Sequence, residues 1–313
     1  MISVYIARLK RKISSVLSAP KRDANGRKAL QYLRSLKTET NTVIVLTTLI
    51  GDSIYGLSIL DAYKEKTGKQ ITVVGSEKLA YVLQSYASID RLILLPAKDE
   101  KYELIKDFLR SPKLSKNALQ EGIINANPYL YMEEKKPLYY LLGTVFGLNE
   151  EYPITYHALK SQEVVSIPEF EQRKNQIVIL NPYSNSVKYV TDSIWNDIAN
   201  ALTAHNYKVY TNVIGEQVAV KGTEPLRCSL EELYSIACGA RMIVSTRSGI
   251  LDLLVPSGID IFAIYENTRD KFNKMYALSA WKAKGRIHEE IVRKGTDITR
   301  IVSELKKFIG TEE

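Results

Sequence analysis

Between residues 42 and 96 the chain alternates short β-branched runs with longer amphipathic stretches. No other feature constrains the fold as much. TVIVLTT (42–48) is a continuous apolar run of the kind a strand buried on both faces requires. LIGD follows, then a helical pattern through SIYGLSILDAYKEKTG that Gly68 ends at the expected position just past the last turn. QITVVGS (70–76) reads as the next strand, EKLAYVLQSYA as a helix and RLILLP (91–96) as a third strand. Strand–helix repeats joined by short turns predict a parallel sheet covered by helices.

The same alternation restarts after residue 175. QIVILNP (176–182), YKVYTNV (207–213), RMIVST (241–246) and IDIFAIY (259–265) read as strands. Between them, DSIWNDIANALTAHN places Trp195, Ile198 and Leu202 on one helical face. SLEELYSIACGA opens with the Ser229 and Glu232 of a capping box, GILDLLVPSG is a short helix, and DITRIVSELKKFIG closes the chain. The tyrosine-rich stretch from about 97 to 160 is less regular and reads as helices and loops. SQEVVSIPEFEQRKN (161–175), polar and carrying a proline, reads as a linker. The expected fold class is therefore α/β, with two facing Rossmann-like domains at 41–160 and 176–313, preceded by a separate segment at 1–40.

A chain of 313 residues, 45% of them hydrophobic, is long enough for two such domains. No run approaches the roughly 18–20 apolar residues of a membrane span, and no secretory signal is evident. Cys228 and Cys238 are too few for a disulfide framework and wrongly spaced for zinc, so a reducing cytoplasm is the simplest expectation. The net charge of +8 is local: residues 1–40 hold ten Lys and Arg against Asp23 and Glu39, and the rest of the chain balances. Nucleic-acid binding by the whole surface is thus a poor reading of the basicity.

Within that basic segment Ile2, Ile6, Leu9, Ile13 and Val16 make one helical stripe, with Lys10, Arg11 and Lys12 mostly off it. Such a helix can lie on an anionic membrane surface. It can equally pack its stripe on the protein's own core, and an Arg-rich start also suits a transit peptide.

Ligands of open parallel sheets bind beyond the carboxyl ends of the strands, and three strand ends carry suitable residues. In TTLIGDSIYG, Gly51 allows a tight turn, Asp52 stands at the helix start and Ser53 offers a hydroxyl. The same Asp52 suits a plain N-cap, and no GxGxxG indicates a nicotinamide or flavin. In NPYSNSVKYVTDSIW, Asn181, Ser184, Asn185, Ser186 and Lys188 suit phosphate oxygens, or simply form a polar loop. In STRSGILDLLVPSG, Ser245 and Thr246 can cap a helix beginning near Ser248, and Gly249 allows close approach of a ligand. Arg247 can grip two phosphate oxygens, or else pair with Asp252 or Glu266.

No Asp-x-Asp motif is present to hold a divalent metal against a diphosphate, so no metal and no cofactor is expected. His157, His205 and His288 lack metal-ligand spacing, and His205 suits a partner for a helix C-terminus.

The order of these motifs (strand–GD–helix, strand–P…K…W–helix, then SL.EL and a late S-G..DL turn) resembles the heptosyltransferase-like glycosyltransferases, over roughly residues 42–265. The resemblance implies a GT-B fold and metal-independent, inverting transfer. It implies Asp52 as general base, Lys188 on the donor's phosphates, and a donor diphosphate received at the turn Arg247-Ser248-Gly249. The family usually places an aspartate before Thr/Ser-Gly and a histidine three residues after the glycine; here Arg247 and Asp252 stand instead. SxRSG..DL looks more like a capsule or surface-glycan branch, which puts ADP-heptose in doubt as donor and leaves a nucleotide-diphosphate leaving group.

The resulting expectation is a cytoplasmic enzyme, peripheral at the inner face of the cell membrane. Its substrates would be a nucleotide-sugar donor and a glycan or lipid-linked acceptor of surface-polysaccharide synthesis. Two alternatives stand beside it: a nucleotide-sugar epimerase of the same architecture, and a catalytically silent glycosyltransferase-like partner subunit.

Overall fold

The computed structural model describes residues 20–46, 49–127, 130, 138–148, 154, 157–160, 167, 170–184, 190–266, 276–280, 283–292 and 298–310. Its strands are β1 Asn41–Val45, β2 Gln70–Ser76, β3 Arg91–Leu95, β4 Ile123–Asn125, β5 Ile177–Asn181, β6 Lys208–Asn212, β7 Glu224–Leu226, β8 Met242–Thr246, β9 Asp260–Glu266 and β10 Ile287–Val292. The helices are α1 (residues 20–35), α2 Ile50–Leu57, α3 Leu60–Thr67, α4 Ala80–Leu83, α5 Glu100–Leu109 and α6 Pro112–Gln120. They continue with α7 Leu138–Val145, α8 Phe170–Arg173, α9 Asp192–Ala204, α10 Leu230–Ala237, α11 Gly249–Leu254 and α12 Ile298–Gly310.

The chain divides into two compact units, one built on each of two parallel sheets; Leu49–Ile54 belongs to the second unit. The first sheet has the order β3-β2-β1-β4. Val43 of β1 lies between Thr72 of β2 and Ile123 of β4, and all of β1 is buried, as its β-branched composition requires. Ala29, Leu30, Leu33 and Leu36, from α1 and just past it, join Val43, Val45, Val74 and Phe108 in one core cluster. Residues 20–36 of the basic segment therefore cover the unit's own core. The stripe from Ile2 to Val16 lies outside the described residues.

The pattern expected to give one helix over 53–68 gives two, α2 and α3, separated at Ser58–Ile59. The Ser58 hydroxyl donates to Tyr55 O there, a local bond that competes with helix continuation. Gly68 ends α3 at φ +64°, its N–H bonded to Lys64 O.

The second sheet has the order β10-β9-β8-β5-β6-β7, every pairing parallel. Trp195, Ile198 and Leu202 of α9 meet Val178, Leu180, Val244 and Phe262 from the strands, and Leu305 and Phe308 of α12 complete this cluster. Ser229 caps α10 by accepting from Glu232 N. His205 stands at the C-cap of α9, with Nδ1 2.8 Å from Ala201 O. Phe170 of α8, in the stretch read as linker, is buried.

Candidate active site

Strand order fixes where this second unit offers a site. From β5 the chain winds through β6 and β7 to one edge, and from β8 through β9 and β10 to the other. The winding reverses between β5 and β8, and in doubly wound sheets the crevice at that reversal, beyond the strands' carboxyl ends, takes the ligand. Asn181 ends β5 and Ser245-Thr246 ends β8.

These residues are bonded to one another. Asn181 Nδ2 donates to Ser245 Oγ at 2.9 Å and to Ser248 Oγ at 3.3 Å, while Asn212 Nδ2 donates to Asn181 Oδ1 at 2.9 Å. Thr246 Oγ1 lies 3.3 Å from Asn181 O and 3.4 Å from Pro182 O. The buried amides and hydroxyls thus tie three strand ends into a floor. This corrects the expected cap: Ser248, in extended conformation, is the N-cap of α11, and neither Ser245 nor Thr246 caps that helix. Ser184 is half-buried in the loop after β5; Asn185, Ser186 and Lys188 lie outside the described residues.

Arg247 follows β8 and its backbone N–H extends the ladder to Ile264 O at 2.8 Å. Its guanidinium is held from three sides. Nη1 and Nη2 bond Asp252 Oδ2 and Oδ1 at 2.9 and 2.8 Å, Nη1 also reaches Ser248 O at 2.7 Å, and Nε donates to Tyr276 O at 2.8 Å. Both members of the pair are buried. The expectation that this fork is open to two phosphate oxygens is therefore corrected, because a carboxylate already fills it. Asp252, one of the two anionic partners considered, is engaged.

The first turn of α2 lies against this pair within the same unit. A Cβ on Gly51 would stand 2.7 Å from Asp252 Oδ2, and one on Gly249 would stand 2.5 Å from Gly51 N. The space expected to admit a ligand at Gly249 is thus taken by the Gly51 backbone, which is a second correction. Asp52 is the third residue of α2, in its first turn and not at its N-cap. It is 5% exposed, and its Oδ2 has no hydrogen-bond partner among the described residues. Burial, joined by the negative charge of Asp252 and opposed by Arg247, pushes its carboxyl up to about 7. Ser53, next to it, is also buried, its N–H bonded to Leu49 O at 3.0 Å.

The site thus gathers Gly51, Asp52, Arg247, Gly249 and Asp252. A buried carboxyl that exchanges its proton near neutral pH has the properties of a general base. Among the described residues no three His, Cys, Asp or Glu side chains gather to hold a metal ion. The role of Asp252 against Asp52 was the element the sequence did not announce. Its signals were the five-residue step from Arg247 and its place where the family has a histidine, which made it a candidate acceptor-side residue with Gly51 and Ser53.

No protein-family model and no curated protein matches the chain. Solved structures do match it. A glycosyltransferase family 9 protein from Veillonella parvula DSM 2008 is 15% identical, with a TM-score of 0.56 over 86% of this chain and 90% of that one. E. coli heptosyltransferase WaaC with ADP-2-deoxy-2-fluoro heptose is 14% identical, with a TM-score of 0.55 over 87% and 100%. A putative UDP-N-acetylglucosamine 2-epimerase from Listeria monocytogenes is 8% identical, with a TM-score of 0.52 over 88% and 89%. The chain has the GT-B fold. At such identities the likeness extends to fold alone.

Proposed function

We propose that the protein is a metal-independent, inverting glycosyltransferase that moves a sugar from a nucleotide-diphosphate donor to a glycan or lipid-linked acceptor. The observation carrying this reading is Asp52: a buried carboxyl with an oxygen unpartnered among the described residues and a proton held to about pH 7, in the first helix after β1 of a GT-B chain. In the reaction the acceptor hydroxyl gives its proton to the Asp52 carboxylate as its oxygen attacks the anomeric carbon. The bond from that carbon to the diphosphate oxygen breaks on the opposite face, and the nucleoside diphosphate leaves with the electron pair. The donor sits at the β5–β8 crevice, with Asn181, Ser184, Thr246 and Ser248 around it and Lys188 balancing the phosphate charge. A nucleotide-sugar donor is consistent with the ADP-sugar named for the E. coli heptosyltransferase of the same fold.

The acceptor belongs to surface-polysaccharide synthesis at the cytoplasmic face of a membrane, approached through the basic segment 1–40 with its apolar stripe from Ile2 to Val16. No helix among the described residues is long and apolar enough to cross a membrane.

The adjacent carboxyls of Asp52 and Asp252 favour one second reading, a nucleotide-sugar epimerase. A thermal-shift screen over UDP-, GDP-, ADP-, CMP- and dTDP-sugars finds the donor, since a ligand at 100 times its Kd stabilises by about 2.7 kcal/mol. Incubating the stabilising donor with candidate acceptors then decides between the two. Transfer that falls by about 10²–10⁴-fold in Asp52→Asn supports the transferase. An epimerised donor formed without acceptor supports the epimerase, and neither product with any donor points to the silent subunit.

A further inference from the structure

The two positions at which this chain departs from the heptosyltransferase pattern, Arg247 and Asp252, are bonded to each other through both terminal guanidinium nitrogens. The departure is thus a matched pair and not two independent changes. Its orientation is fixed twice more, by Arg247 Nη1 on Ser248 O and Nε on Tyr276 O. The aspartate held in this way is almost fully buried, with Oδ2 directed at the Gly51 backbone one residue before Asp52. Neither Gly51 nor Gly249 carries a side chain that could screen one carboxyl from the other.

We propose that Asp252 is a positioning residue for Asp52: clamped by Arg247, it keeps a fixed negative charge beside the Asp52 carboxyl and so makes that carboxylate the stronger base. The charged groups acting on Asp52 are Asp252 from α11 and Arg247 from the turn before it. When the two carboxyls hold one proton it is on Asp52, because Asp252 receives two charge-assisted hydrogen bonds that stabilise its ionised form while Asp52 Oδ2 receives none among the described residues. Arg247 therefore acts on Asp52 in two opposed ways. Its own charge favours ionised Asp52, and its fork keeps ionised the aspartate that opposes it. A base arranged in this way accepts a proton readily near neutral pH, which a solvated aspartate does not.

The catalytic consequence rests on the transferase reading above, but the proton arrangement does not, so the test reads the proton directly. Carboxyl ¹³C NMR of the full chain, with Asp52→Asn to assign the resonance, follows Asp52 as pH is varied. In Asp252→Asn the Asp52 midpoint should fall by about one pH unit or more, the effect of a close like charge removed. In Arg247→Gln it should move by less, since two opposed effects are lost together. Should Asp252→Asn not fold, the double amide variant Arg247→Gln/Asp252→Asn replaces it, and the fall, though smaller, is read there. A midpoint unmoved in Asp252→Asn, or in the double variant where that replaces it, overturns the proposal. If the midpoint falls while no nucleotide sugar yields a transfer product, the transferase reading fails and the positioning role stands. If transfer occurs, the acidic limb of its kcat/KM profile should shift with the NMR midpoint; a loss of rate with no shift of that limb means Asp252 is only structural.

Discussion

Gly51 and Gly249 meet backbone against backbone: a Cβ on Gly249 would stand 2.5 Å from Gly51 N and 3.1 Å from its Cα. Two helix starts nearly two hundred residues apart touch only because neither carries a side chain there. Gly249→Ala should therefore push the first turn of α2 away from α11. The expected cost is about 1–3 kcal/mol, as for overpacking elsewhere, with a larger proportional loss of turnover because Asp52 follows Gly51. Denaturant midpoints and initial rates measure both. An alanine variant with unchanged stability and rate would mean that the two turns do not meet in solution.

Asp52 should leave a signature in stability whose sign is fixed. The folded protein holds the Asp52 proton up to about pH 7, whereas an ordinary aspartate releases it near 3.8. The advantage of that proton to the folded state is complete below the unfolded value and is lost as pH rises through 7. Asp52→Asn, which carries no such proton, should be more stable than the wild type at pH 8 by on the order of a few kcal/mol. The gap should close as pH falls towards 4. Melting temperatures from pH 4 to 8 measure it, and a gap independent of pH would show that Asp52 is solvated.

Asp260, at the amino end of β9, behaves in the opposite way. Burial would raise its carboxyl, but hydrogen bonds from Arg286 and Arg241 outweigh that and hold it below the usual range. Its contribution is present above the unfolded value and is lost as pH falls. Asp260→Ala leaves Arg241 facing a vacated, buried position, while the more exposed Arg286 is partly compensated by water. A loss of about 2–4 kcal/mol at pH 7 is expected, since only part of this cluster is fully desolvated. A chemical denaturation midpoint that does not move would show that the cluster is merely superficial.

The strands that sequence made legible are those whose composition must be apolar. β1, β2, β5, β8 and β9 are almost wholly buried, so apolar and β-branched residues make up most of each; β3 and β6 were read as well, while the three-residue β4 was too short to be. β7 and β10 lie at the edges of the second sheet, where one side of the strand is unpaired. Glu224-Pro225-Leu226 and the charged Ile287–Val292 carry no such run, and neither was read as a strand. The site divides in the same way. Asp52 and Arg247 could be singled out because their local patterns are unusual, and Asp252 because it lies five residues on. The contact of Gly51 with Gly249 had no sequence signal, since two absent side chains form no pattern.

Turnover should be the same in EDTA as in added Mg²⁺ or Mn²⁺. The sequence has no Asp-x-Asp pair to bring a divalent ion to a diphosphate, so lysine and backbone donors must meet the leaving charge. The assay is initial rate with the donor found by thermal shift. Activity abolished by EDTA and restored by Mn²⁺ would move the donor away from the β5–β8 crevice.

The basic segment carries two apolar sets, the stripe from Ile2 to Val16 and the core contacts of Leu30, Leu33 and Leu36, and they should behave differently. Leu30, Leu33 and Leu36 are buried in the first unit's core cluster, so a chain starting at Thr40 exposes that core and should be insoluble or markedly less stable. A chain starting at Pro20 keeps the cluster and loses only the stripe from Ile2 to Val16 with Arg8, Lys10, Arg11 and Lys12. It should melt with the full chain. It should also lose binding to anionic liposomes, to which each of those four cations contributes about 1 kcal/mol at best. The full chain's binding should weaken as salt screens the charges over a Debye length of about 10 Å at 0.1 M. Co-sedimentation with and without anionic lipid, at low and high salt, reads the difference. If the Pro20 chain binds as the full chain does, the attraction lies elsewhere on the surface. If it aggregates instead, the stripe covers core, as Leu30 and Leu33 do.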